Sequence, residues 1–199
     1  MIKIENVESF GWEAAIRGMR NPKNSWDKMD SNMFEVGPND LQLMMDLAHG
    51  GPVHAKYRRM IVVYLDITAP LYWWKEFDTY KVGTVSNSCS TMHKLTDKVF
   101  ELNDFSHERL SPAGLDVIYH TIDQLNILRD LYLKLKSKDV WYEMIQLLPS
   151  SYNQKRTIML NYEVLVGIYR DRRSHKLDEW KEFCNWIMLL PLARVIISQ

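Results

Sequence analysis

This sequence has few cysteines, no net charge and no long apolar run, and each of these absences argues against a class of protein. Cys89 and Cys184 are its only two cysteines among 199 residues, and their wide separation argues against a disulfide framework or a metal-binding pair. Lys plus Arg and Asp plus Glu number 25 each, so the basic surface of a nucleic-acid binder is not expected. No apolar segment approaches the roughly 20 residues that span a bilayer.

The N-terminal residues also lack a targeting signal. They read MIKIENVESF, without the basic start and the apolar run of a signal peptide. Two unpaired cysteines suit a reducing compartment. We therefore expect a cytoplasmic protein that has no nucleic-acid partner and does not associate with a membrane.

Length and composition indicate one domain that is rich in aromatic side chains. The chain is long enough for one hydrophobic core and short for two, so we expect a single domain over residues 1–199. Aromatic residues make up 12% of the chain and include seven Trp, so some rings are expected at a ligand cleft or a subunit interface. We expect the adjacent Trp73 and Trp74 either in the core or at such an interface.

Apolar periodicity predicts both strands and helices. The run Met60–Leu65, which is rich in β-branched and aromatic residues, predicts a strand in the middle of a sheet with both faces covered. A weaker alternation through Ile2, Ile4 and Val7 predicts an edge strand. The expected fold is α/β (mixed α+β), a small twisted sheet flanked by helices. Helical spacing and end signals predict these helices over Phe10–Met19, Gly37–Gly50, Ala69–Phe77, Ser111–Leu135, Asp139–Leu148, Thr157–Tyr169 and Leu177–Leu190.

A dense polar stretch, Gly83–Thr91, follows the aromatic residues of the third helix. Its sequence GTVSNSCST offers hydroxyls, amides and backbone N–H groups, which suit a phosphate or the edge of a pyrimidine. An ordinary surface loop punctuated by Gly and Ser is the alternative. Cys89 lies within this stretch, but no His or Arg signature is present to activate it as a nucleophile.

Two groups of His and basic residues have both a functional and a structural interpretation. His49 and His54 have no carboxylate or cysteine at ligand spacing, so no metal site is expected. A basic cluster follows a predicted helix, where the carbonyl end favours cations without any ligand, and contact with a ligand anion is the alternative. The cluster consists of Arg170, Arg172, Arg173, His175 and Lys176.

Several short motifs follow one another in an order known from one enzyme family. A His-containing turn, AHGG at residues 48–51 with His54 behind it, precedes the predicted strand, and Ala69-Pro70 starts the helix after that strand. Leu147-Leu148-Pro149, then Asn161, then Arg172 follow at matching intervals. Over about two-thirds of its length the chain resembles the flavin-dependent thymidylate synthases.

The signature of that family, R-H-R-x-x-S-x-N-x-x-S-x-R, is largely rewritten in this chain. One of the two cations of the R-H-R triplet is kept, as a lysine, and both serine positions keep a hydroxyl. The final arginine is replaced by a residue that cannot pair with an anion. In an ungapped placement the matching residues are Thr79-Tyr80-Lys81, Thr84, Ser86 with Asn87 adjacent, Ser90 and Met92.

The resemblance implies a homotetramer of α/β subunits with the fold of the thymidylate synthase-complementing proteins. It implies binding of FAD and dUMP, with methylenetetrahydrofolate and NADPH as co-substrates in the methylation of dUMP to dTMP. By the same resemblance, Ser90 and Arg172 have catalytic roles. The cofactor would be bound by His54, Lys81, Thr84, Asn161 and His175, and the nucleotide by Glu76, Ser86, Asn87, Ser90, Lys155, Arg156 and Arg172.

The rewritten signature leaves two other functions open. The first is a non-catalytic or altered-substrate paralogue that keeps the oligomeric scaffold, because each missing charge-assisted contact to a phosphate costs about 1.5–3 kcal/mol. The second is a helical interaction protein, which would leave the hydroxyl-rich stretch without a purpose.

Overall fold

A four-stranded antiparallel sheet organises the chain, of which the computed structural model describes residues 1–32 and 35–197. Its strand order is β1-β2-β4-β3, so β2 lies in the interior of the sheet as predicted. The edge strand predicted at the start of the chain is also confirmed. The strands are β1 (Lys3–Phe10), β2 (Val62–Pro70), β3 (Thr84–Ser88) and β4 (Asn153–Asn161).

Helices flank this sheet and complete the mixed α+β fold that the sequence predicts. None of the helices within residues 1–32 and 35–197 is long and apolar enough to cross a membrane. Their bounds are α1 (Trp12–Arg20), α2 (Pro38–His49), α3 (Leu71–Phe77), α4 (Thr91–Lys94), α5 (Pro112–Leu135), α6 (Lys138–Leu147), α7 (Tyr162–Arg172), α8 (Asp178–Ile187) and α9 (Ala193–Ile196).

Strand β2 is covered on one face only, contrary to the prediction from its apolar run. Val63, Leu65 and Ile67 are fully buried, whereas Tyr64 between them is 42% exposed. This alternation is the pattern of an antiparallel strand with one face toward the core and the other toward solvent. The aromatic ring of Tyr64 contacts the edge of Phe10, with ring centroids 6.1 Å apart, so the apolar character of the exposed face comes from a cross-strand pair.

The helix predicted over Thr157–Tyr169 is wrong at its start, because those residues finish β4. The backbone N–H of Leu71 donates to the carbonyl of Tyr152 at 3.0 Å, and that of Tyr162 donates to Ile61 at 3.1 Å. These two bonds mark the ends of the antiparallel pairing between β2 and β4. Pairing with a distant strand overrides the local apolar spacing, which assigns Ile158 to the helix.

The polar stretch Gly83–Thr91 is not a loop throughout, as the sequence suggested, but contains the edge strand β3. The N–H of Cys89, just after this strand, donates to the carbonyl of Lys155 at 2.9 Å. In β1, at the other edge, Asn6 has a φ of 50°, and its side-chain amide donates to the Asp66 carboxylate at 2.9 Å. Asparagine tolerates this left-handed conformation better than most residues, so β1 accommodates an irregular backbone at Asn6 without ending there.

The chain folds into two compact units, and the single domain predicted over residues 1–199 stays a prediction. The first unit contains residues 1–3, 67–79 and 87–156. Its core packs α5 against α6 and the loops that precede α5. The buried side chains of this core are Leu95, Phe100, Phe105, Ile118, Ile122, Leu125, Leu128 and Met144.

The second unit contains residues 4–66, 80–86 and the stretch from 157 onward. In it α1 contacts α2, and α7 contacts α8. Its core combines aliphatic and large aromatic side chains. Buried members include Ala15, Ile16, Met19, Leu43, Met44, Tyr57, Val63, Leu65, Leu165, Trp180, Phe183 and Ile187.

A buried ion pair in the second unit holds the segment after α1 against the start of α2. Arg20 Nε donates to Asp40 Oδ1 at 2.6 Å, and the other Asp40 oxygen accepts from the Ser31 hydroxyl at 2.6 Å and from the backbone N–H groups of Asp30 and Ser31. Burial by itself raises the pKa of the Asp40 carboxyl. The bonds from Ser31, Arg20 and the backbone outweigh burial, so the Asp40 pKa lies below its ordinary value.

We expect Asp40→Asn to lower the free energy of unfolding at pH 7 by about 3–5 kcal/mol, because it leaves the Arg20 charge buried without its partner. The lowered pKa means that the stabilisation is complete above the ordinary carboxyl pKa and is lost as the pH falls. Wild type should therefore lose stability more steeply than the variant between about pH 5 and pH 3. Urea unfolding at several pH values measures both effects.

The control is Asp46→Asn, which changes an exposed carboxylate on α2 that accepts a hydrogen bond from the Gln42 side chain. Its effect should stay within about 0.5 kcal/mol. Parallel pH profiles of wild type and Asp40→Asn would contradict the role given to Asp40.

Candidate functional site

In the first unit, Arg156 on β4 lies against the indole ring of Trp74 on α3. The guanidinium carbon is 4.2 Å from the ring centroid, a distance typical of a cation–π contact. Arg156 Nη1 donates to Asp78 Oδ1 at 2.7 Å, and Nε donates to the side-chain oxygen of Gln154 at 3.0 Å. The Arg156 side chain is only 14% exposed. Stacking, an ion pair and a hydrogen bond therefore fix this guanidinium from three directions.

Gln154 connects Arg156 to the start of α4. Its side-chain oxygen accepts from Arg156, while its Nε2 donates to the carbonyl of Cys89 at 2.8 Å. The next residue, Ser90, is the N-cap of α4, since its hydroxyl accepts from the N–H of His93 at 3.2 Å. The structure thus brings Ser90 and Arg156, two predicted site residues, to one place in this unit, and Gln154 is the link that the sequence did not suggest.

The other predicted residues of the first unit lie around this cluster. Lys155 is exposed, and its carbonyl accepts from the N–H of Cys89. Glu76 is half-buried on α3, and its carbonyl accepts from the Thr79 hydroxyl at 2.7 Å. Asn87 is exposed on β3. These three residues thus lie on β4 beside Arg156, on α3 and on β3, respectively.

In the second unit, Arg172 at the end of α7 is enclosed by two aromatic rings. Its guanidinium carbon lies 4.7 Å from the Trp180 ring centroid and 5.7 Å from that of Tyr80. Arg172 Nε donates to the Tyr80 hydroxyl oxygen at 2.9 Å. The ring of His175 contacts the edge of Trp180, and His175 Nδ1 accepts from the N–H of Leu177. Arg172 and His175, both predicted site residues, therefore share Trp180 as a neighbour.

A second group in this unit joins Asn161, Gly83 and Thr84. The Asn161 side-chain oxygen caps α7 by accepting from the N–H of Val164 at 3.1 Å. Gly83 has a φ of +78°, and a Cβ added to it would lie 2.8 Å from Asn161 Nδ2. The hydroxyl oxygen of Thr84 is buried, with no hydrogen-bond partner in the described part of the chain. Two predicted cofactor residues, Thr84 and Asn161, are thus brought together.

Three predicted residues of the second unit lie on its surface. Lys81 and Ser86 are exposed on either side of Thr84. His54 is exposed in the turn after α2, where its ring lies close to Gly50. The ligand contacts expected for Lys81, Ser86 and His54 therefore stay predictions.

The two cysteines differ in their exposure to solvent. Cys184 is buried in α8, and burial raises its pKa to about 11, with Arg172 acting in the opposite direction, so the thiol is protonated at neutral pH. Cys89 is exposed beside Ser90. Among the residues in ranges 1–32 and 35–197, no group of three His, Cys, Asp or Glu side chains could hold a metal ion.

A cavity of about 800 Å³ lies elsewhere in the second unit. Trp12 and Ile16 of α1, Leu41 of α2 and Leu192 contribute to its lining. None of the predicted site residues lines it, so the site residues and this cavity are separate features of the unit.

Trp73 and Trp74 are core residues, one of the two locations expected for them. Both are almost fully buried, and each contacts Phe77. The face of Trp74 also supports Arg156, a role that the sequence did not reveal. The sequence analysis also did not identify the contacts of Asp78, Tyr80 and Trp180 with arginines. Asp78 and Tyr80 lie 78 and 92 positions from their partners, Arg156 and Arg172.

The mixed α+β fold of this chain, a four-stranded antiparallel sheet flanked by helices, is also found in solved structures of other proteins. No protein-family model matches the sequence. No curated protein matches it either. Solved structures, in contrast, match it over nearly its whole length.

Thymidylate synthase X (ThyX) from Helicobacter pylori, crystallised with FAD and dUMP, has a similar structure. One such crystal structure has a TM-score of 0.74 and 16% sequence identity, covering 100% of this chain and 98% of that chain. A second has a TM-score of 0.72 and 17% identity, covering 98% of each. The UMP/dUMP methylase PolB from Streptomyces cacaoi, bound with 5-Br dUMP, has a TM-score of 0.67 and 13% identity, covering 98% of this chain and 91% of that one. At these identities the likeness shows a shared fold.

We expect Gly83→Ala to lower the free energy of unfolding by about 1–3 kcal/mol, because it adds backbone strain and displaces the Asn161 cap. Gly51→Ala is the matched control. Gly51 has a similar φ of +87° but nothing within 4 Å of an added Cβ, so it measures the backbone term alone. Urea unfolding of both variants provides the comparison, and equal losses would contradict a specific contact between Gly83 and Asn161.

Proposed function

We propose that this protein binds FAD and a pyrimidine nucleotide and methylates dUMP to dTMP. The observation that carries the proposal is the structural likeness over essentially the whole chain to enzymes crystallised with dUMP or its 5-bromo analogue, two of those structures also containing FAD. The same proposal includes methylenetetrahydrofolate as one-carbon donor, NADPH as reductant and a homotetrameric assembly. These three parts rest on the order of motifs in the sequence.

Cations for the nucleotide phosphate are the first requirement of this function. A phosphate monoester carries a charge near −2 at neutral pH and is best bound by guanidinium forks and charge-assisted hydrogen bonds. Arg172, Arg156 and Lys155 are the proposed cations. Ser90 offers a hydroxyl beside Arg156 in the first unit, and Glu76, Ser86 and Asn87 offer further polar groups for the nucleotide.

The polar groups of the second unit fit a flavin. The buried Thr84 hydroxyl has no partner in the part of the chain that the structure describes, so a ligand acceptor or donor would satisfy it. Asn161, His175, Lys81 and His54 are the other proposed FAD contacts. Reduced flavin supplies hydride when bound, which leaves orientation and charge neutralisation to the protein.

An altered-substrate or non-catalytic function is the second candidate, and one contact favours it. Arg156 already forms an ion pair with the Asp78 carboxylate at 2.7 Å, so a nucleotide phosphate must compete with that carboxylate. Met92, at the position of the last signature arginine, is 47% exposed and offers no charge. A protein of this kind would bind flavin or nucleotide without forming dTMP.

Flavin and nucleotide binding are tested in sequence on the purified protein. We expect flavin absorbance bands to remain with the protein after incubation with FAD and desalting, and to shift when dUMP is added. Deoxycytidine monophosphate is the control nucleotide and should produce a smaller shift. Absence of retained flavin at millimolar FAD would contradict the proposal, whereas binding of both ligands without dTMP formation would favour the second candidate.

The ion pair between Asp78 and Arg156 yields a test of the nucleotide role of Arg156. We expect Asp78→Asn to increase dUMP affinity about threefold to tenfold, because removing the carboxylate leaves more of the guanidinium for the phosphate. Isothermal titration calorimetry at fixed salt measures the change.

Asp130→Asn is the matched control, since Asp130 pairs with Arg129 at 2.8 Å and neither residue is a proposed ligand contact. Its dUMP affinity should equal that of wild type. Equal affinities for wild type and Asp78→Asn would remove Arg156 from the nucleotide site.

A further inference from the structure

The cavity of about 800 Å³ in the second unit has a floor of apolar side chains. Ile16 of α1 is 3% exposed, and both Trp12, one turn before it, and Leu41 of α2 are half-buried. Small-molecule sites in proteins have volumes of roughly 300–1,000 Å³ and a mostly apolar lining. The cavity is therefore large enough for an organic molecule with a ring system.

One buried tyrosine holds two parts of the cavity lining in place. The ring of Tyr162 meets the indole of Trp12 edge to face, with centroids 5.3 Å apart, and its hydroxyl donates to the carbonyl of Pro191 at 2.9 Å. Both Trp12 and Pro191 line the cavity. The indole N–H of Trp12 also donates to the Ser9 hydroxyl at 2.8 Å, so the orientation of this ring is fixed.

The buried ion pair between Arg20 and Asp40 anchors another part of the lining. Ser31 lines the cavity, and its hydroxyl donates to Asp40 Oδ2 at 2.6 Å and accepts from the N–H of Gly37 at 3.0 Å. Val36, which also lines the cavity, directly precedes Gly37. The lining is thus preorganised by buried hydrogen bonds, which lowers the entropic cost of binding a ligand.

The backbone of Leu192, a further lining residue, has a left-handed conformation with a φ of 53°. This conformation is uncommon for a branched aliphatic residue. Residues held in sparsely populated backbone conformations are concentrated at ligand-binding and catalytic sites. The packing of the second unit therefore keeps a leucine at the cavity in a conformation that its local preference disfavours.

Charged side chains at the cavity carry more negative than positive charge. Glu13 and Arg17 of α1 and Glu35, which precedes α2, line the cavity and are exposed. Within residues 1–32 and 35–197, neither of these two carboxylates forms an ion pair. Two carboxylates and one guanidinium favour a cationic ligand, and an indole adds cation–π attraction for an ammonium group.

We propose that this cavity is a second ligand site, which binds an organic cation with an apolar ring. The ring packs on Trp12, Ile16 and Leu41, and the carboxylates of Glu13 and Glu35 attract the ammonium group. This role does not depend on the proposed function, because none of the proposed flavin or nucleotide contacts lines the cavity.

Three indole compounds with different charges test the ligand class. Tryptamine carries an ammonium group, tryptophol a hydroxyl and indoleacetate a carboxylate on the same ring system. Ligand-observed NMR titrations measure their dissociation constants with the purified wild-type chain. We expect tryptamine to bind about tenfold more tightly than indoleacetate, with tryptophol between them, because the net charge of the lining acts on each ligand charge. Equal affinities for tryptamine and indoleacetate, or no binding of tryptamine at millimolar concentration, overturn the proposal.

Removal of the two carboxylates separates the effect of charge from that of shape. In the double variant Glu13→Gln/Glu35→Gln, we expect tryptamine affinity to fall about fivefold and tryptophol affinity to stay within about twofold of wild type. Asp46→Asn removes an exposed carboxylate of α2 that does not line the cavity, and it should leave all three affinities unchanged. An equal loss for tryptamine and tryptophol in the double variant contradicts the role given to the carboxylates.

Leu41→Trp tests the location, because the larger side chain reduces the volume of the cavity. It should weaken tryptamine and tryptophol binding alike, by about fivefold or more. Leu47→Trp is the matched control, since Leu47 is also half-buried on α2 but does not line the cavity, and it should bind as wild type does. Unchanged tryptamine binding in Leu41→Trp, or an equal loss in Leu47→Trp, overturns the location. Thermal unfolding shows whether both variants fold, and if Leu41→Trp does not, the carboxylate double variant decides the proposal.

Discussion

The antiparallel pairing of β2 with β4 is the constraint on which the candidate site depends. At one end of the pairing, α3 follows β2 directly, so Trp74 meets the strand residues Gln154 and Arg156. At the other end, β4 ends at Asn161, whose side chain caps the N-terminus of α7. Arg172 is the last residue of that helix, so its position follows from where α7 begins. Each arginine is thus placed by a rigid element rather than by a loop, which is the arrangement that precise binding sites require.

The helices were predictable because their signals are local. Ser111 caps α5 and Pro112 occupies its first turn, and the apolar spacing along the helix matches its buried face. The strands were harder, because β3 and β4 are defined by partners distant in sequence. Ile158 has the same apolar character in a strand as in a helix, and only its pairing across the sheet distinguishes the two. The polar residues of β3 are also typical of a loop. An edge strand needs little apolar surface, so its composition does not distinguish it from a loop.

Residues of the candidate site could be proposed from the sequence only where short motifs follow the order known from the similar enzyme family. Arg172 was proposed from its interval to Asn161, and Ser90 from its place in the polar stretch; their ligand roles stay predictions. The groups that hold these residues were not predictable, because Tyr80 carries no sign in the sequence that it contacts Arg172. Trp74 likewise reads as a core residue, and its second role as a support for Arg156 depends on a face that burial alone does not reveal. Such contacts are properties of the fold.

The two sheet edges have a consequence for how the protein behaves at high concentration. An uninterrupted edge strand presents unpaired backbone groups that invite intermolecular pairing and aggregation. Here β3 is only five residues long and carries Ser86 and Asn87, while β1 contains the left-handed Asn6 and bears charged side chains such as Glu8. Irregular, polar edges of this kind oppose the addition of a strand from another molecule, so the polar stretch has a structural use besides the proposed ligand contacts.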